Sequence, residues 1–386
     1  MSSEAPRKLI FLVTEDWYFW SHRLPMARAA RDAGFAVAVA TRVAAHGERI
    51  RSEGFALHPL KWRRGDLGPW ASLAAIIEIF RLYRCERPLL VHHVALKPAL
   101  LGGIAAWLAR VPGVISMIAG SGYVGTDARS HARLIGRILR WLWPPLLLRR
   151  NCRVIVQNDD DRHALAALAG KAAARIAVIR GSGIDLAHFQ ALPEPSAPPI
   201  TAAYVGRMIA IKGVACLVEA QQMLQRDGLD LRLMLVGPPD PENPTSIDEA
   251  TLKQWSKLPG IAWLGYREDV REIWHAAHIA VLASQGGEGL PKTLLEAAAC
   301  GRPIVATDIP GTRDIARAGV NALLVPTRDA AALAAALKQL ASDAALRRRF
   351  AAAGRNLVES GFSDAAIGAA MVAVYRGLAA QIDQRP

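Results

Sequence analysis

The sequence lacks the features that mark several large classes of protein. Its 386 residues contain only four cysteines, scattered without the close pairs of a zinc site and too few for a disulfide framework. No apolar run reaches the roughly 18 residues that span a bilayer, and the N-terminus lacks the apolar core of a signal peptide. We therefore expect a protein of a reducing compartment, without structural zinc and without a membrane span.

Acidic residues are also scarce relative to basic ones. Lys and Arg number 47 against 34 Asp and Glu, which gives a formal net charge of +13. Such an excess favours anionic partners, for example nucleic acid, nucleotide phosphates or an acidic membrane surface. No helix-turn-helix, RNP or zinc pattern accompanies the charge, so we expect no nucleic-acid partner.

The length and the apolar content of the chain indicate a multidomain globular protein. Hydrophobic residues make up 52% of it, and a single core stops growing near about 300 residues, so two or more domains are expected. Short apolar strands alternate with helical segments in both halves, a pattern typical of βαβ units around buried parallel sheets. Strands are predicted over 8–13, 36–41, 89–93, near Val114 and Val154, and over 176–179, 202–205, 231–236, 261–264, 279–283, 304–306 and 322–325.

A proline-rich segment separates the two halves. Four prolines lie between Leu192 and Ile200, a composition that makes a stiff, extended linker. We therefore predict a first domain over 1–192 and a second over 193–361. Residues 362–386 form a last helix that is long enough to return to the first domain.

The strongest motif is the segment 286–303, GGEGLPKTLLEAAACGRP. Pro291 suits the first turn of a helix and Gly301 the position after its end, so a helix of about ten residues follows a glycine-rich loop. Backbone N–H groups and the positive end of the helix dipole make this junction a phosphate site. Glu288 and Glu296 suit hydroxyl groups that flank a diphosphate; the alternative is a surface loop with solvated glutamates.

A second signal opens the same domain. Gly206 and Arg207 follow its first predicted strand, and Lys212 precedes its first predicted helix. Cations at the carboxyl end of this strand point into the crevice where doubly wound folds bind ligands. There they could neutralise a diphosphate; the alternative is a solvated basic loop.

Together these residues resemble the retaining GT-B glycosyltransferases of family 4. Glu288 and Glu296 match the family's E-x7-E motif, Arg207 and Lys212 match its diphosphate-binding pair, and EAAACGRPIVATDIPG matches the segment that follows. The resemblance implies an α/β protein of the GT-B fold, with two Rossmann-like, doubly wound lobes facing a central cleft. It also implies a nucleoside-diphosphate sugar donor, a UDP-sugar in our prediction, transfer with retention of configuration, and no cofactor or metal ion.

The resemblance assigns roles residue by residue. Arg207 and Lys212 would hold the donor phosphates, Glu288 would contact the transferred sugar as a catalytic residue, and Glu296 would bind the ribose. The segment LGYREDV matches the turn that borders the nucleotide base. The predicted donor-binding residues are Gly206, Arg207, Lys212, Tyr266, Arg267, Gly287, Glu288, Gly289, Leu290 and Glu296.

The first domain resembles one branch of that family. TEDWYFWSHRLPMARAARDAG, VHHVALKPALLGG and MIAGSGYVG look like the branch that extends lipid-linked oligosaccharides, so the acceptor would be a saccharide on a polyprenyl diphosphate. The branch usually has threonine at Ala95 and leucine at Ser121, which leaves the acceptor's identity open. His92, at a strand end, is predicted to be catalytic, with a packed structural histidine as the alternative. The predicted acceptor-binding residues are His22, His93, Lys97, Gly120 and Gly122.

The glycines of MIAGSGYVG also fit a dinucleotide-binding pattern. Gly120, Gly122 and Gly125 satisfy G-x-G-x-x-G, but no Asp or Glu occurs between Asp127 and Asp159. The dinucleotide fingerprint needs an acidic residue about 20 positions further on. We therefore assign this loop to the acceptor crevice and expect no NAD.

The same acid-free stretch is rich in arginine. Arg133, Arg137 and Arg140 share one helical face, and Trp141 and Trp143 lie beside it. A basic amphipathic segment with tryptophans suits contact with anionic inner-leaflet lipids; the alternative is a packed helix with a solvated basic face. We predict a cytoplasmic protein that is peripherally attached to the cytoplasmic face of the inner membrane.

Two other functions stay open at this point. A sugar-nucleotide epimerase or a phosphorylase could use a similar fold, and a degenerate transferase could be a non-catalytic, membrane-peripheral binding module. The joint presence of Arg207, Lys212, Glu288 and Glu296 speaks against the non-catalytic module.

Overall fold

The computed structural model describes residues 7–66, 68–118, 149–196 and 198–384. Contacts divide the chain into two compact units. The first unit comprises Met1–Gly183 and Asp364–Pro386, and the second unit comprises Ile184–Ser363.

The boundary between the units lies after Gly183, earlier in the chain than the predicted boundary at 192/193. Residues 184–192 belong to the second unit because their backbone is bonded to it. The carbonyl of Phe189 accepts a hydrogen bond from Arg355 at 2.7 Å, and that of Leu192 accepts one from Arg302 at 3.1 Å.

The first unit is built on a sheet of seven parallel strands. Their order is β3-β2-β1-β4-β5-β6-β7, so the order reverses between β1 and β4, as in a doubly wound fold. The strands are β1 Lys8–Glu15, β2 Ala36–Arg42, β3 Ala56–Pro59, β4 Leu90–Val94, β5 Gly113–Ile118, β6 Cys152–Val156 and β7 Ile176–Val178.

Helices cover both faces of this sheet. Ile10 and Leu12 of β1 face a core that α4 and α5 complete, whereas Leu9 and Phe11 face the core on the other side, where α2 packs. Among the described residues, the helices of the first unit apart from the last one are α1 Asp16–His22, α2 Leu24–Asp32, α3 Gly47–Ser52, α4 Pro69–Glu86, α5 Leu96–Leu108 and α6 Asp159–Ala169, with a 3₁₀ turn over Gly170–Arg175.

The second unit repeats this architecture with six parallel strands in the order β10-β9-β8-β11-β12-β13. Its strands are β8 Ile200–Val205, β9 Leu231–Val236, β10 Ile261–Gly265, β11 Ile279–Leu282, β12 Ile304–Thr307 and β13 Ala322–Val325. Its helices are α7 Val214–Arg226, α8 Glu249–Trp255, α9 Arg271–Ala276, α10 Lys292–Ala299, α11 Thr312–Ile315, α12 Ala330–Ser342 and α13 Ala344–Gly361, with a 3₁₀ turn over Ala210–Lys212. The predicted α/β class is confirmed for both units.

The last helix, α14 Asp364–Asp383, packs in the first unit against α2. Four side chains at helical spacing, Ile367, Met371, Tyr375 and Leu378, are buried there. A side chain at Gly368 would begin 2.8 Å from the Cβ of Ala29, so this glycine permits the close approach of the two helices. By length and composition α14 could also cross a membrane, but its buried side chains are those of a core helix in a globular domain.

A buried hydrogen bond joins α14 to β4. The Nδ1 atom of His92 lies 2.7 Å from the Tyr375 hydroxyl, and both residues are fully buried. We predict that Tyr375→Phe lowers the free energy of unfolding by about 1–3 kcal/mol, because one buried polar group loses its partner. Urea denaturation measures this, with the exposed Tyr266→Phe as the control; equal stability of the two variants would contradict it.

Candidate active site

The predicted diphosphate-binding residues meet at the carboxyl edge of the second sheet. Strands β8 and β11 pair in parallel at the point where the strand order reverses. Arg207 follows β8, and Glu288 lies in the loop after β11. Open parallel sheets bind ligands at this point, outside the carboxyl ends of the strands.

Arg207 is ion-paired with a carboxylate that the sequence did not single out. Its Nη1 donates to Oδ2 of Asp240 at 2.5 Å, and 40% of the Arg207 side chain stays exposed. Asp240 follows β9 and is itself held by a hydrogen bond from its backbone N–H to the Ser246 hydroxyl at 2.9 Å. The pair keeps the guanidinium in place and leaves part of it accessible.

The backbone around Arg207 is closely packed. The buried Tyr204 hydroxyl donates to the carbonyl of Arg207 at 2.8 Å, and burial raises the pKa of Tyr204. Gly237, at the end of β9, has a φ of 137°, and a Cβ there would lie 1.9 Å from the carbonyl oxygen of Gly206. Glycine at 237 is therefore required for this loop to approach Gly206.

Lys212 contacts Glu288 directly. The Lys212 ammonium donates to Oε1 of Glu288, which also accepts a hydrogen bond from the Ser284 hydroxyl at 2.5 Å. Both charged side chains are largely buried, so the attraction is screened less than in an exposed pair. The predicted phosphate-binding cation and the predicted sugar-binding carboxylate thus form one pair.

A glycine turn places Lys212 beside β11. Gly213 has a φ of 70°, and a Cβ there would lie 2.1 Å from the carbonyl oxygen of Ala283. The Gln285 backbone N–H donates to the carbonyl of Ile211 at 2.8 Å, which joins this turn to the glycine-rich loop.

The glycine-rich loop leads directly into α10. Pro291 is the residue before the helix, and proline offers no side-chain oxygen to cap the first N–H groups. The other end closes as predicted: Gly301 has a φ of 71°, its N–H donates to Ala298 and that of Arg302 donates to Ala297, a Schellman motif. The positive end of the α10 dipole therefore meets the loop that carries Glu288.

Gly311 packs against the backbone of the glycine-rich loop, and Thr312 follows it. A Cβ at Gly311, whose φ is 83°, would lie 2.3 Å from the Gly289 carbonyl oxygen. The Thr312 hydroxyl donates to the carbonyl of Thr307 at 2.7 Å. Gly311, the last residue of the matching segment, therefore lies against the loop that carries Glu288.

Glu296 is almost fully buried, with 9% of the residue exposed. Burial raises its pKa above the ordinary value of 4.5, while the positive charge of Lys292 and then the indole of Trp274 oppose the shift. The Lys292 ammonium lies 3.8 Å from the Glu296 carboxylate. The carboxyl of Glu296 is therefore costly to ionise in the folded chain.

The remaining predicted donor-binding residues border this site to different degrees. Tyr266 is exposed by 68% and, with the exposed Arg267, follows β10. Gly287 is exposed, Gly289 is partly exposed and Leu290 is buried. The exposed ring of Tyr266 has the surface that base stacking needs, whereas Leu290 contributes its side chain to the core.

Both histidines at the end of β4 are core residues in the first unit. The Nδ1 atom of His92 contacts the Tyr375 hydroxyl, and the Nε2 atom of His93 lies 3.0 Å from the Tyr83 hydroxyl. Burial lowers the pKa of His92 well below its ordinary value and that of His93 to about 3. The catalytic role of His92 and the acceptor-binding role of His93 stay predictions; as placed, both rings are neutral and enclosed.

Lys97 and His22 are more accessible. The Lys97 ammonium donates to the carbonyls of Arg63 and of Asp66, the latter at 2.8 Å, and burial lowers its pKa. The Nδ1 atom of His22 lies 2.6 Å from the Ser21 hydroxyl, and its ring stacks on that of Tyr18. Lys97 therefore fixes the segment before α4, a role that sequence reasoning missed.

Several predicted residues lie outside the residues that the structure describes, so their roles stay predictions. These are the acceptor-loop residues Gly120 and Gly122 and the membrane-contact residues Arg133, Arg137, Arg140, Trp141 and Trp143.

Two family models match the chain, one in each unit. "Glycosyl transferase 4-like" matches residues 8–153, and "Glycosyl transferases group 1" matches residues 199–343. Together with the two doubly wound sheets, these matches define the class of the protein, a glycosyltransferase with the GT-B fold.

Similar proteins agree with this class. The chain is 25% identical over 342 residues to the N,N'-diacetylbacillosaminyl-diphospho-undecaprenol alpha-1,3-N-acetylgalactosaminyltransferase of Campylobacter jejuni, covering 85% of this chain and 88% of that protein. It is 22% identical over 329 residues to the capsular polysaccharide biosynthesis glycosyltransferase CapM of Staphylococcus aureus, covering 82% and 84%. Among solved structures, Anabaena HepE in complex with UDP and glucose superposes with a TM-score of 0.77 at 17% identity, covering 96% of this chain and 100% of that chain, a likeness of fold.

The burial of Glu296 generates a testable pH dependence. Because its pKa is raised in the folded chain, the folded state binds a proton more readily than the unfolded state. The stability linked to this carboxyl is therefore present below about pH 4.5 and is lost as the pH rises through the folded-state pKa. We predict that Glu296→Gln raises the free energy of unfolding at pH 7 and that the gain shrinks as the pH falls toward 4.

Urea denaturation of wild type and variant across this pH range measures the difference. The exposed Glu219→Gln on α7 is the matched control, for which no pH-dependent gain is expected. A gain of the same size at pH 4 and pH 7 for Glu296→Gln would show that packing, rather than ionisation, is responsible.

Proposed function

We propose that the protein transfers a hexose or N-acetylhexosamine from a UDP-sugar to a saccharide on a polyprenyl diphosphate, with retention of configuration, in the synthesis of a bacterial surface polysaccharide or glycan. The observation that carries this proposal is the cluster of Arg207, Lys212 and Glu288 beside the start of α10. The complex of HepE with UDP and glucose supports the donor, and the name of the Campylobacter relative supports the acceptor.

The cluster suits a diphosphate leaving group. As the bond to the sugar breaks, negative charge develops on the diphosphate, and fixed cations and N–H dipoles stabilise that charge in the transition state. Arg207 and Lys212 would bind the phosphates, and the start of α10 would add its positive dipole. These groups would do the work that a metal ion does in other transferases, so we propose a metal-independent reaction.

Donor binding would rearrange an existing ion pair. The Lys212 ammonium donates a hydrogen bond to Glu288, and a phosphate oxygen of the donor would compete for the same ammonium. A Glu288 carboxylate released from Lys212 can accept hydrogen bonds from hydroxyl groups of the transferred sugar while keeping its bond from Ser284. Binding of the phosphate to Lys212 would thus free Glu288 to bind the sugar.

Glu296 would bind the ribose of the donor. A carboxylate can accept hydrogen bonds from both hydroxyl groups of a ribose. Charge-assisted hydrogen bonds of this kind offset the desolvation free energy of the buried carboxylate. The exposed Tyr266 with Arg267 would border the base.

The predicted peripheral attachment to the cytoplasmic face of the inner membrane, through the arginine-rich segment 129–153, would bring a lipid-linked acceptor to the enzyme.

Loss of either cation should weaken nucleotide binding. We predict that Arg207→Ala or Lys212→Ala lowers the affinity for UDP roughly tenfold to a hundredfold, because one charge-assisted contact contributes about 1.5–3 kcal/mol. Isothermal titration calorimetry measures the affinity, and circular dichroism checks the fold, since Arg207→Ala leaves Asp240 without this cation. Arg232→Ala, at an exposed arginine of β9, is the control; equal losses for control and test variants would argue against the assignment.

A donor screen tests the reaction itself. We expect that incubation with nucleotide sugars and a polyprenyl-diphosphate-linked saccharide gives a lipid product one sugar heavier by mass spectrometry, with unchanged yield in EDTA. Glu296→Ala should lower the yield at least a hundredfold. An epimerised nucleotide sugar formed without acceptor would instead favour the epimerase, and loss of product in EDTA would contradict the metal-independent reaction.

A further inference from the structure

One face of α4 carries an exposed apolar stripe. Trp70, Leu73 and Ile77 are exposed by 81%, 47% and 40%, and their spacing of three and four residues places them on one side of the helix. The buried side of α4, with Ile79 and Tyr83, faces the core of the first unit. The stripe is therefore a second apolar surface, one that is not buried by packing among the described residues.

Cations continue the stripe toward the end of α4. Arg81 and Arg84 are exposed and lie on the same side, one turn and two turns after Ile77. The glutamates of this helix are engaged elsewhere: Glu78 accepts a hydrogen bond from a backbone N–H before the helix, and Glu86 is ion-paired with a lysine of β1. The exposed side of α4 thus begins apolar and ends cationic.

The start of α4 is fixed near the predicted acceptor-binding lysine. The strands of the sheet are parallel, and α4 returns from the end of β3 to the start of β4, so Trp70 lies at the carboxyl edge of the sheet. The Lys97 ammonium donates to the carbonyls of Arg63 and Asp66 and lies 5.8 Å from the centre of the Trp62 ring. The segment before α4 is therefore tied to the first turn of α5.

Charge identifies the occupant of this face. An exposed tryptophan followed by arginines is suited to the boundary between anionic headgroups and acyl chains. A second copy of the chain docked on this face by two-fold symmetry would bring the same arginines together, and this helix face supplies no carboxylate to pair with them, which is unfavourable. An anionic bilayer satisfies both the apolar and the cationic parts.

We propose that the α4 face, formed by Trp70, Leu73, Ile77, Arg81 and Arg84, docks on an anionic bilayer, with the apolar residues inserted at the interface and the arginines at lipid phosphates. The role of this docking in presenting a lipid-linked acceptor rests on the proposed function, whereas lipid binding itself does not. None of these five residues belongs to the arginine-rich segment 129–153.

Vesicle flotation of the full chain tests the proposal. With vesicles containing phosphatidylglycerol, we expect the triple variant Trp70→Ser, Leu73→Ser, Ile77→Ser to partition at least tenfold more weakly than wild type. The double variant Arg81→Gln, Arg84→Gln should partition to these vesicles several-fold more weakly than wild type at low salt. At high salt, which screens the charges, the difference from wild type should be much smaller. The matched control is Trp107→Ser with Leu108→Ser, which removes side chains exposed by 56% and 49% at the far end of α5.

The outcomes separate this proposal from its rivals. Equal flotation of the triple variant and the α5 control would overturn it. Light scattering that shows a wild-type dimer dispersed by the triple variant would assign the face to a second copy. A large loss of stability in urea for the triple variant would mean that the stripe is covered by part of the chain itself, since polar substitution of exposed residues leaves stability nearly unchanged.

A local probe does not depend on the triple variant folding. In a Cys85→Ser, Cys216→Ser background, Leu73→Cys labelled with an environment-sensitive fluorophore should shift to the blue on anionic vesicles. The same label on Cys85, near the end of α4, in a Cys216→Ser variant should shift less, and both replacements are needed because Cys216 is partly exposed. No shift at position 73 would contradict insertion of the stripe.

Turnover separates docking from chemistry. With a short, water-soluble acceptor, the triple variant should retain wild-type turnover, and with acceptor in vesicles it should lose turnover along with binding. A wild-type chain that floats with vesicles yet transfers no sugar would leave the docking surface standing and overturn the proposed function.

Discussion

The candidate active site depends on one feature of topology, the parallel pairing of β8 with β11. This pairing reverses the strand order and brings together two loops that are far apart in the chain, so Lys212 and Glu288, 76 residues apart, form a hydrogen-bonded pair. The contact needs glycine in two places. Gly213 lets the first loop touch the backbone of Ala283, the residue after β11, and Gly311 lets its own segment lie against the backbone of Glu288 and Gly289. Without the reversal, the same side chains would lie on separate surfaces with ordinary solvation.

The charges of this site are balanced before any ligand arrives. Arg207 is paired with Asp240 and Lys212 with Glu288, so neither partly buried cation is left without a compensating charge. A diphosphate would therefore exchange with carboxylates rather than enter a site of free positive charge. Such an exchange lowers net affinity but keeps the cations oriented, which favours transition-state stabilisation over tight ground-state binding.

Most of the fold and part of the candidate site could be predicted from the sequence, and the features that were missed have physical reasons. The predicted strand bounds agree with the structure to within two residues, because buried parallel strands are continuous apolar runs. The strand β3 was missed because it is an edge strand with no buried residue. Asp240 was missed as the partner of Arg207 because pairing across neighbouring strand ends leaves no pattern in sequence. For His92, strand position located the residue, but the partner that buries it, Tyr375, lies 283 residues away, and the sequence contains no signal of that contact.

The candidate site of the second unit adds little to the excess of positive charge, because Arg207 and Lys212 are each paired with a carboxylate. On the α4 face, Arg81 and Arg84 are exposed and have no ion pair among the described residues. The two settings suit different anions. A single diphosphate is recognised by few cations, held in fixed directions by carboxylates that it can replace. A bilayer presents many mobile phosphates at once, so exposed, unpaired arginines beside an apolar stripe can bind it without any fixed geometry. The difference in pairing therefore suits the proposed diphosphate site and the proposed docking face to their different ligands.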